Sequence, residues 1–290
     1  METTELLRRV RRIEIVARGL SSQFLSGSYH SAFKGRGVVF SEVRPYVIGD
    51  DVRRIDWNVT ARLQEPFVKV FEEERELLVM LLLDMSGSLD FGTRGRTKRH
   101  LMAEMAAVLA LSAIANNDKV GAIFFTDKVE AFIPPRKGRS HMLRIVRDVL
   151  EFQPAGKSSD VSCVLPFLRN TLKKRATAFL FSDFITPSFE KPLRVAAAFH
   201  DIVALHLVDP REENLPTSGL FYLLDNETGE GRWIDFGDRA TRRSFQEESR
   251  RLRTEVQNLF QRQGIDYAVV YTDKPYIKEL VRIFERRSGR

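Results

Sequence analysis

Asp84-Met85-Ser86-Gly87-Ser88 follows directly on the apolar run Leu77–Leu83. A carboxylate and two hydroxyls therefore stand at every second position, and Gly87 lets the loop between them turn tightly. Oxygen donors at this spacing suit a hard cation such as Mg²⁺. An ordinary Asp/Ser/Gly turn after a strand has the same composition, so the pentapeptide gains meaning only from what else reaches it. Ala176–Phe181 is a second apolar run, and it too ends in a hydroxyl and a carboxylate, Ser182-Asp183. Between the two lies the polar loop Gly156-Lys157-Ser158-Ser159-Asp160, just before a helical stretch, Val161–Lys174.

These loops need elements that hold them together. Apolar runs without alternation read as strands buried on both faces, the kind found in parallel sheets. Such strands are expected at 77–83, 120–125, 129–133, 176–182, 202–208 and 267–271, with helices at 97–116, 139–152, 161–174, 188–199, 240–263 and 275–287. The alternation signals an α/β layer architecture. Thr126-Asp127-Lys128 is short enough to make 129–133 an antiparallel edge strand. Helix 97–116 is apolar on nearly every side (Leu101, Met102, Met105, Val108, Leu109, Leu111), which predicts deep burial. In a doubly wound, mostly parallel sheet of order 3-2-1-4-5-6, strands one and four are neighbours at the topological switch point, where ligands bind beyond the carboxyl ends. Leu77–Leu83 counts as strand one and Ala176–Ser182 as strand four, so the three loops should converge on one crevice. Residues 218–236, with Asn226-Glu227-Thr228-Gly229 between two aromatic-rich runs, read as a hairpin excursion. Upstream, 3–19 reads as a helix, and 35–75 as an irregular, strand-containing segment punctuated by Gly35, Gly37, Pro45, Gly49 and Pro66. The expected division is an N-terminal part, 1–75, and an α/β domain, 76–290.

Across 76–290, D-x-S-x-S after strand one, a Ser/Thr loop and an Asp after strand four resemble the metal-ion-dependent adhesion site of von Willebrand factor A domains. The middle element of that site is usually Thr; here Ser159, followed by Asp160, is aligned with it, and Ser158 is the neighbouring alternative. The segment Arg44-Pro45-Tyr46-Val47-Ile48-Gly49-Asp50-Asp51-Val52-Arg53-Arg54-Ile55-Asp56-Trp57 is similar to the signature Y-x-x-G-D-D-x-R-x-I-D-W of DUF58 proteins. In that family the signature precedes a von Willebrand A-like domain. The match continues through Pro66, Val68, Lys69 and the acidic Glu72-Glu73-Glu74-Arg75.

The resemblance implies that Asp84, Ser86, Ser88, Ser159 and Asp183 bind a divalent cation directly or through water. An all-oxygen donor set favours Mg²⁺, Mn²⁺ or Ca²⁺ over Zn²⁺, and His30, His100, His141, His200 and His206 lack metal-ligand spacing. In adhesion domains the open coordination position accepts a carboxylate from a protein partner. Family members commonly accompany MoxR-type AAA+ ATPases, which implies an adaptor that binds such an ATPase or its client. Catalysis is not expected. Ser86 stands where D-x-D phosphotransferases carry their second Asp, and there is no G-x-x-x-x-G-K-S/T, H-E-x-x-H or G-x-S-x-G. Within the signature, Asp50, Asp51, Asp56, Arg53, Arg54 and Arg62 are expected to form a structural charge network; the competing expectation is a recognition surface built on Tyr46 and Trp57.

Composition agrees with a globular protein: 290 residues, 43% hydrophobic and 29% charged. No apolar run approaches the ~20 residues needed to cross a bilayer, and Met1–Glu5 carries no signal-peptide core. Many DUF58 relatives are membrane-anchored, so a short cytosolic version is expected here. Cys163 alone builds no disulfide framework and fits a reducing compartment. The net charge of +7 raises the question of nucleic acid, and a nucleic-acid-binding protein is the main contrasting expectation. The basic residues are interleaved with acids except for Arg8, Arg9, Arg11, Arg12 and Arg282, Arg286, Arg287, Arg290. The first set lies opposite Leu6, Val10, Ile13 and Ala17 on an amphipathic helix, which reads as a solvated face.

Overall fold

The computed structural model describes residues 3–22, 29, 31–33, 39–72, 76–93 and 95–288. Glu73, Glu74 and Arg75 of the signature fall outside them, as do His30, Gly35, Gly37 and Arg290. Two compact units emerge, residues 1–32 with 78–290, and residues 33–77. The N-terminal helix therefore goes with the large sheet, whereas a division at residue 75 groups it with the signature segment.

In the smaller unit, β1 (Val39–Pro45) and β2 (Phe67–Glu72) pair antiparallel around a short helix, α2 (Trp57–Leu63). The signature builds this unit from within. Asp50 accepts two hydrogen bonds from Arg44 at 2.7 and 2.8 Å, and Asp51 caps a 3₁₀ turn at Val52–Arg54. Asp56 caps α2 through Asn58 and Val59 and lies 3.5 Å from Lys69 Nζ. Trp57 is left 70% exposed, so the aromatic of the signature does not fill a core while its carboxylates serve local geometry.

The larger unit begins with α1 (Thr3–Leu20) and contains a six-stranded sheet. Its strands are β3 (Leu78–Asp84), β4 (Lys119–Phe125), β5 (Val129–Arg136), β6 (Thr177–Ser182), β7 (Asp201–Val208) and β10 (Asp266–Tyr271). They fall where the apolar runs place them. The order is β10-β7-β6-β3-β4-β5, all parallel except β5 at the edge. This is the doubly wound order 3-2-1-4-5-6 with an antiparallel third strand, seen from the other side. Beyond Leu78, all of β3 is buried, as a central parallel strand requires.

Alternate residues of the central strands face opposite layers. Met80, Leu82, Ala178, Leu180 and Ala204 pack on α5 (Val161–Thr171), α6 (Glu190–Phe199) and Phe260 of α7 (Arg239–Arg262). On the other side is α3 (Lys98–Ala115), buried along most of its circumference as its composition predicts. Its neighbours are α1 and α4 (Arg139–Glu151): Ser21 meets Ser112 at 2.9 Å, and Glu14 accepts from Arg139 at 2.5 Å. The last helix, α8 (Ile277–Ser288), brings Phe284 edge-on to Tyr29. A separate hairpin, β8 (Leu220–Leu224) with β9 (Gly231–Asp235), forms its own two-stranded sheet. Among the described residues, no helix is long and apolar enough to cross a membrane.

Candidate metal centre

Parallel pairing sets the level at which each strand delivers its side chains. Leu83 is opposite Phe181, so Asp84 and Ser182 emerge side by side at the carboxyl edge, with Asp183 one residue on. The loop before α5 is drawn in by backbone bonds: Gly87 N–H donates to Lys157 O at 2.8 Å, and Asp160 N–H to Thr126 O at 3.0 Å. Asp160 then caps α5 by accepting from Ser162 N–H at 2.7 Å. Three segments far apart in sequence thus share one crevice.

The structure brings all five expected side chains into it. Asp84 Oδ2 accepts from Ser159 Oγ at 2.7 Å, and Asp84 Oδ1 from the Ser86 amide at 2.9 Å. Ser86 Oγ and Ser88 Oγ are 3.1 Å apart, and the Ser88 hydroxyl hydrogen-bonds to Asp183. Asp84 and Ser86 are fully buried, Ser159 and Asp183 nearly so, and Ser158 points to solvent. Of the two serines, Ser159 is therefore the one that reaches Asp84, and Ser158 is not.

Three participants escaped the sequence reading. Ser182 Oγ gives Asp84 Oδ2 a second hydroxyl bond at 2.7 Å; Ser182 was visible as a hydroxyl at a strand end, but its target was not. Lys98 is completely buried, its ammonium 2.8 Å from Asp183 Oδ2 and 2.6 Å from Glu212 Oε1. A lysine in a first helical turn ordinarily snorkels to water, so sequence carried no signal of this. The third is Phe184, whose φ of 55° puts a bulky residue in the left-handed region. Such backbone costs about 1–3 kcal/mol. Ring contacts of Phe184 with Phe189, His206 and Phe260 hold it in place, and the bend follows directly on Asp183.

Charge in the crevice is unevenly shared. Burial, reinforced by the Asp183 charge, pushes Asp84 up to about 6 despite its hydrogen bonds from Ser86, Ser182 and Ser159. Burial would raise Asp183 too, but the Lys98 ammonium outweighs it and holds that carboxyl below the usual range. Lys98 itself is driven upward, since Asp183 and Glu212 overcome its own burial. Burial raises Glu212 against the pull of Lys98. The net arrangement is a set of oxygen-bearing side chains, Ser86, Ser88, Ser159, Ser182 and Asp183, around one carboxylate that is costly to ionise.

The donor chemistry fits a divalent cation. Every polar side-chain atom of Asp84, Ser86, Ser88, Ser159 and Asp183 is an oxygen. Lys98 takes one oxygen of Asp183, while the other accepts from Ile185 N–H, at 3.2 Å. Among the described residues no three His, Cys, Asp or Glu side chains group as a metal cluster, so any ion here depends on hydroxyls as much as on carboxylates.

Residues 42–255 match the family described as "Protein of unknown function DUF58", and the chain belongs to that family. It is 32% identical over 293 residues to "Uncharacterized protein Rv1480" of Mycobacterium tuberculosis, covering 100% of this chain and 92% of the relative. The match to "Uncharacterized protein Mb1516" of Mycobacterium bovis has the same identity and coverage. Among solved structures, a conserved hypothetical protein BatB from Bacteroides thetaiotaomicron is similar over 74% of this chain and 100% of its own, at 13% identity and a TM-score of 0.48. At that level it records a likeness of layout and nothing of function.

Proposed function

We propose that this chain is a divalent-cation-dependent protein-binding module, in which Asp84, Ser86, Ser88, Ser159 and Asp183 hold Mg²⁺, or Mn²⁺ or Ca²⁺ in its place. The observation that carries this is the 2.7 Å bond from Ser159 to Asp84 across 75 positions of sequence, which assembles oxygen donors from separate loops at the carboxyl edge of the sheet. A bound ion would supply a strong electrostatic attachment point for an Asp or Glu of another protein. The chain's own residues do the rest. Asp84 contributes the buried anionic donor, Ser86, Ser88 and Ser159 contribute neutral ones, and Asp183, charge-balanced by Lys98, adds the second carboxylate without making the crevice strongly repulsive. Ser86 is a hydroxyl bonded to Ser88, poorly suited to shuttle a proton, which favours binding over phosphoryl transfer.

The partner that the family resemblance supports is a MoxR-type AAA+ ATPase or its client. The test is capture of a purified MoxR-type ATPase by the immobilised full chain, in Mg²⁺ and in EDTA. Capture in Mg²⁺ that is lost in EDTA and in Asp84→Ala is the expected result. Capture that survives both would refute the cation-dependent attachment.

A further inference from the structure

The hairpin β8–β9 ends at the mouth of this crevice. Its turn lies so close to Gly87 that a Cβ on that glycine would sit 2.4 Å from the carbonyl oxygen of Asn226. The absence of a side chain at Gly87 is thus what seats the hairpin tip. The next residue is Glu227. One of its carboxylate oxygens, Oε1, is buried without any hydrogen-bond partner. Its carboxylate faces the Ser88 hydroxyl, with Asp183 and Asp84 as the charged groups beyond. A buried carboxylate oxygen with no donor is an unmet acceptor, costly unless something positive reaches it.

The turn that presents Glu227 is stiff. Asp225 Oδ1 accepts from Glu227 N–H at 2.8 Å, Asp225 Oδ2 accepts from Thr228 Oγ1 at 2.9 Å, and Gly229 completes the turn with φ of 76°. The root is anchored too, with Phe236 buried and Arg242 donating to its carbonyl and, at 3.0 Å, to Gly237 O. Between root and tip the hairpin is loosely held. It stands beside an open cavity of about 1020 Å³ whose lining includes Ser88, Asp183, Asn226 and Leu252, and Leu220, Tyr222, Leu224 and Trp233 remain mostly exposed. A rigid tip on a weakly packed arm can engage or leave the crevice without disturbing the core.

We propose that Glu227 is an internal ligand: the hairpin brings this chain's own carboxylate to the open side of the cation that a partner's acidic residue would otherwise occupy, so that hairpin and partner compete for one position. This rests on the cation reading above and adds its regulation. The ion meets the unpaired Glu227 oxygen and locks the hairpin down; a partner must offer a carboxylate that displaces it.

The test uses chelator-stripped full chain and Mn²⁺ alone. Affinity is read by electron paramagnetic resonance, and backbone amide exchange is followed across 220–235, in wild type, Glu227→Gln and Glu230→Gln. Glu230 is an exposed carboxylate of the same hairpin and serves as the charge control. Expected are an affinity loss of about tenfold or more in Glu227→Gln, slowing of hairpin exchange by Mn²⁺ in wild type but not in that variant, and wild-type behaviour of Glu230→Gln. Equal Mn²⁺ affinity in wild type and Glu227→Gln, or hairpin exchange indifferent to the ion, overturns the internal-ligand proposal alone. Absence of Mn²⁺ binding to wild type overturns the cation reading with it.

Discussion

Replacing Asp84 with Asn should make the protein more stable without metal and less responsive to it. The side chain is fully buried, and its pKa is pushed from 3.8 up to about 6, first by burial and then by Asp183. Ionising it in the folded state at neutral pH therefore costs about 3 kcal/mol relative to the unfolded chain. Because the folded-state pKa is the higher one, this penalty is absent below about 4 and complete above about 6. Asn keeps the shape and removes the charge, at the expense of weaker bonds from Ser159, Ser182 and the Ser86 amide, roughly 1 kcal/mol in all. A net gain of about 2 kcal/mol remains, or about 3 °C at roughly 0.6 kcal/mol/K for a chain of this length. Mg²⁺ at a hundred times its dissociation constant should stabilise wild type by about 2.7 kcal/mol and leave the variant unmoved. Thermal unfolding in EDTA and in Mg²⁺, at neutral pH and near pH 4, reads all of this. The variant should be ahead in EDTA at neutral pH, lose that lead near pH 4, and be level with or behind wild type in Mg²⁺. A variant less stable than wild type in EDTA at neutral pH, or one raised by Mg²⁺ as much as wild type, would refute the reasoning.

Ser159→Ala should weaken Mn²⁺ binding and Ser159→Thr preserve it, whereas Ser158→Ala at the exposed neighbour should leave calorimetric affinity nearly unchanged. Lys98→Ala leaves the buried Asp183 and the half-buried Glu212 without their counter-charge, so chemical denaturation should show a loss of about 3–5 kcal/mol. His206 is buried beside Tyr267 and pushed down to about 4 by that burial. The unfolded chain then binds the extra proton as pH falls from 6.5 toward 4, costing up to about 3 kcal/mol, and denaturant midpoints of His206→Gln measured against wild type should lack this acid-side fall.

The sheet was legible because its strands are unbroken apolar runs, and parallel central strands need that on both faces. The crevice was legible for a related reason. Once strand order makes β3 and β6 neighbours, polar residues at their carboxyl ends must meet, and Asp84, Ser86, Ser88, Ser159 and Asp183 do. What escaped are groups whose role depends on tertiary placement. Lys98 looks like any helix-surface lysine until β6 and the Glu212 turn close over it. Glu227 lies in a hairpin whose alternation says strand–turn–strand but not where the turn lands. The N-terminal helix shows an amphipathic stripe, yet nothing in 3–19 states that Ser21 will meet Ser112 on α3.

The central claim is a cation site made by Asp84, Ser86, Ser88, Ser159 and Asp183, and titration of the chelator-stripped chain with Mn²⁺ tests it most directly. One ion per chain, lost in Asp84→Ala and in Asp183→Ala while circular dichroism shows both variants folded, is the expected result. No binding by wild type, or undiminished binding by folded Asp84→Ala, would contradict it.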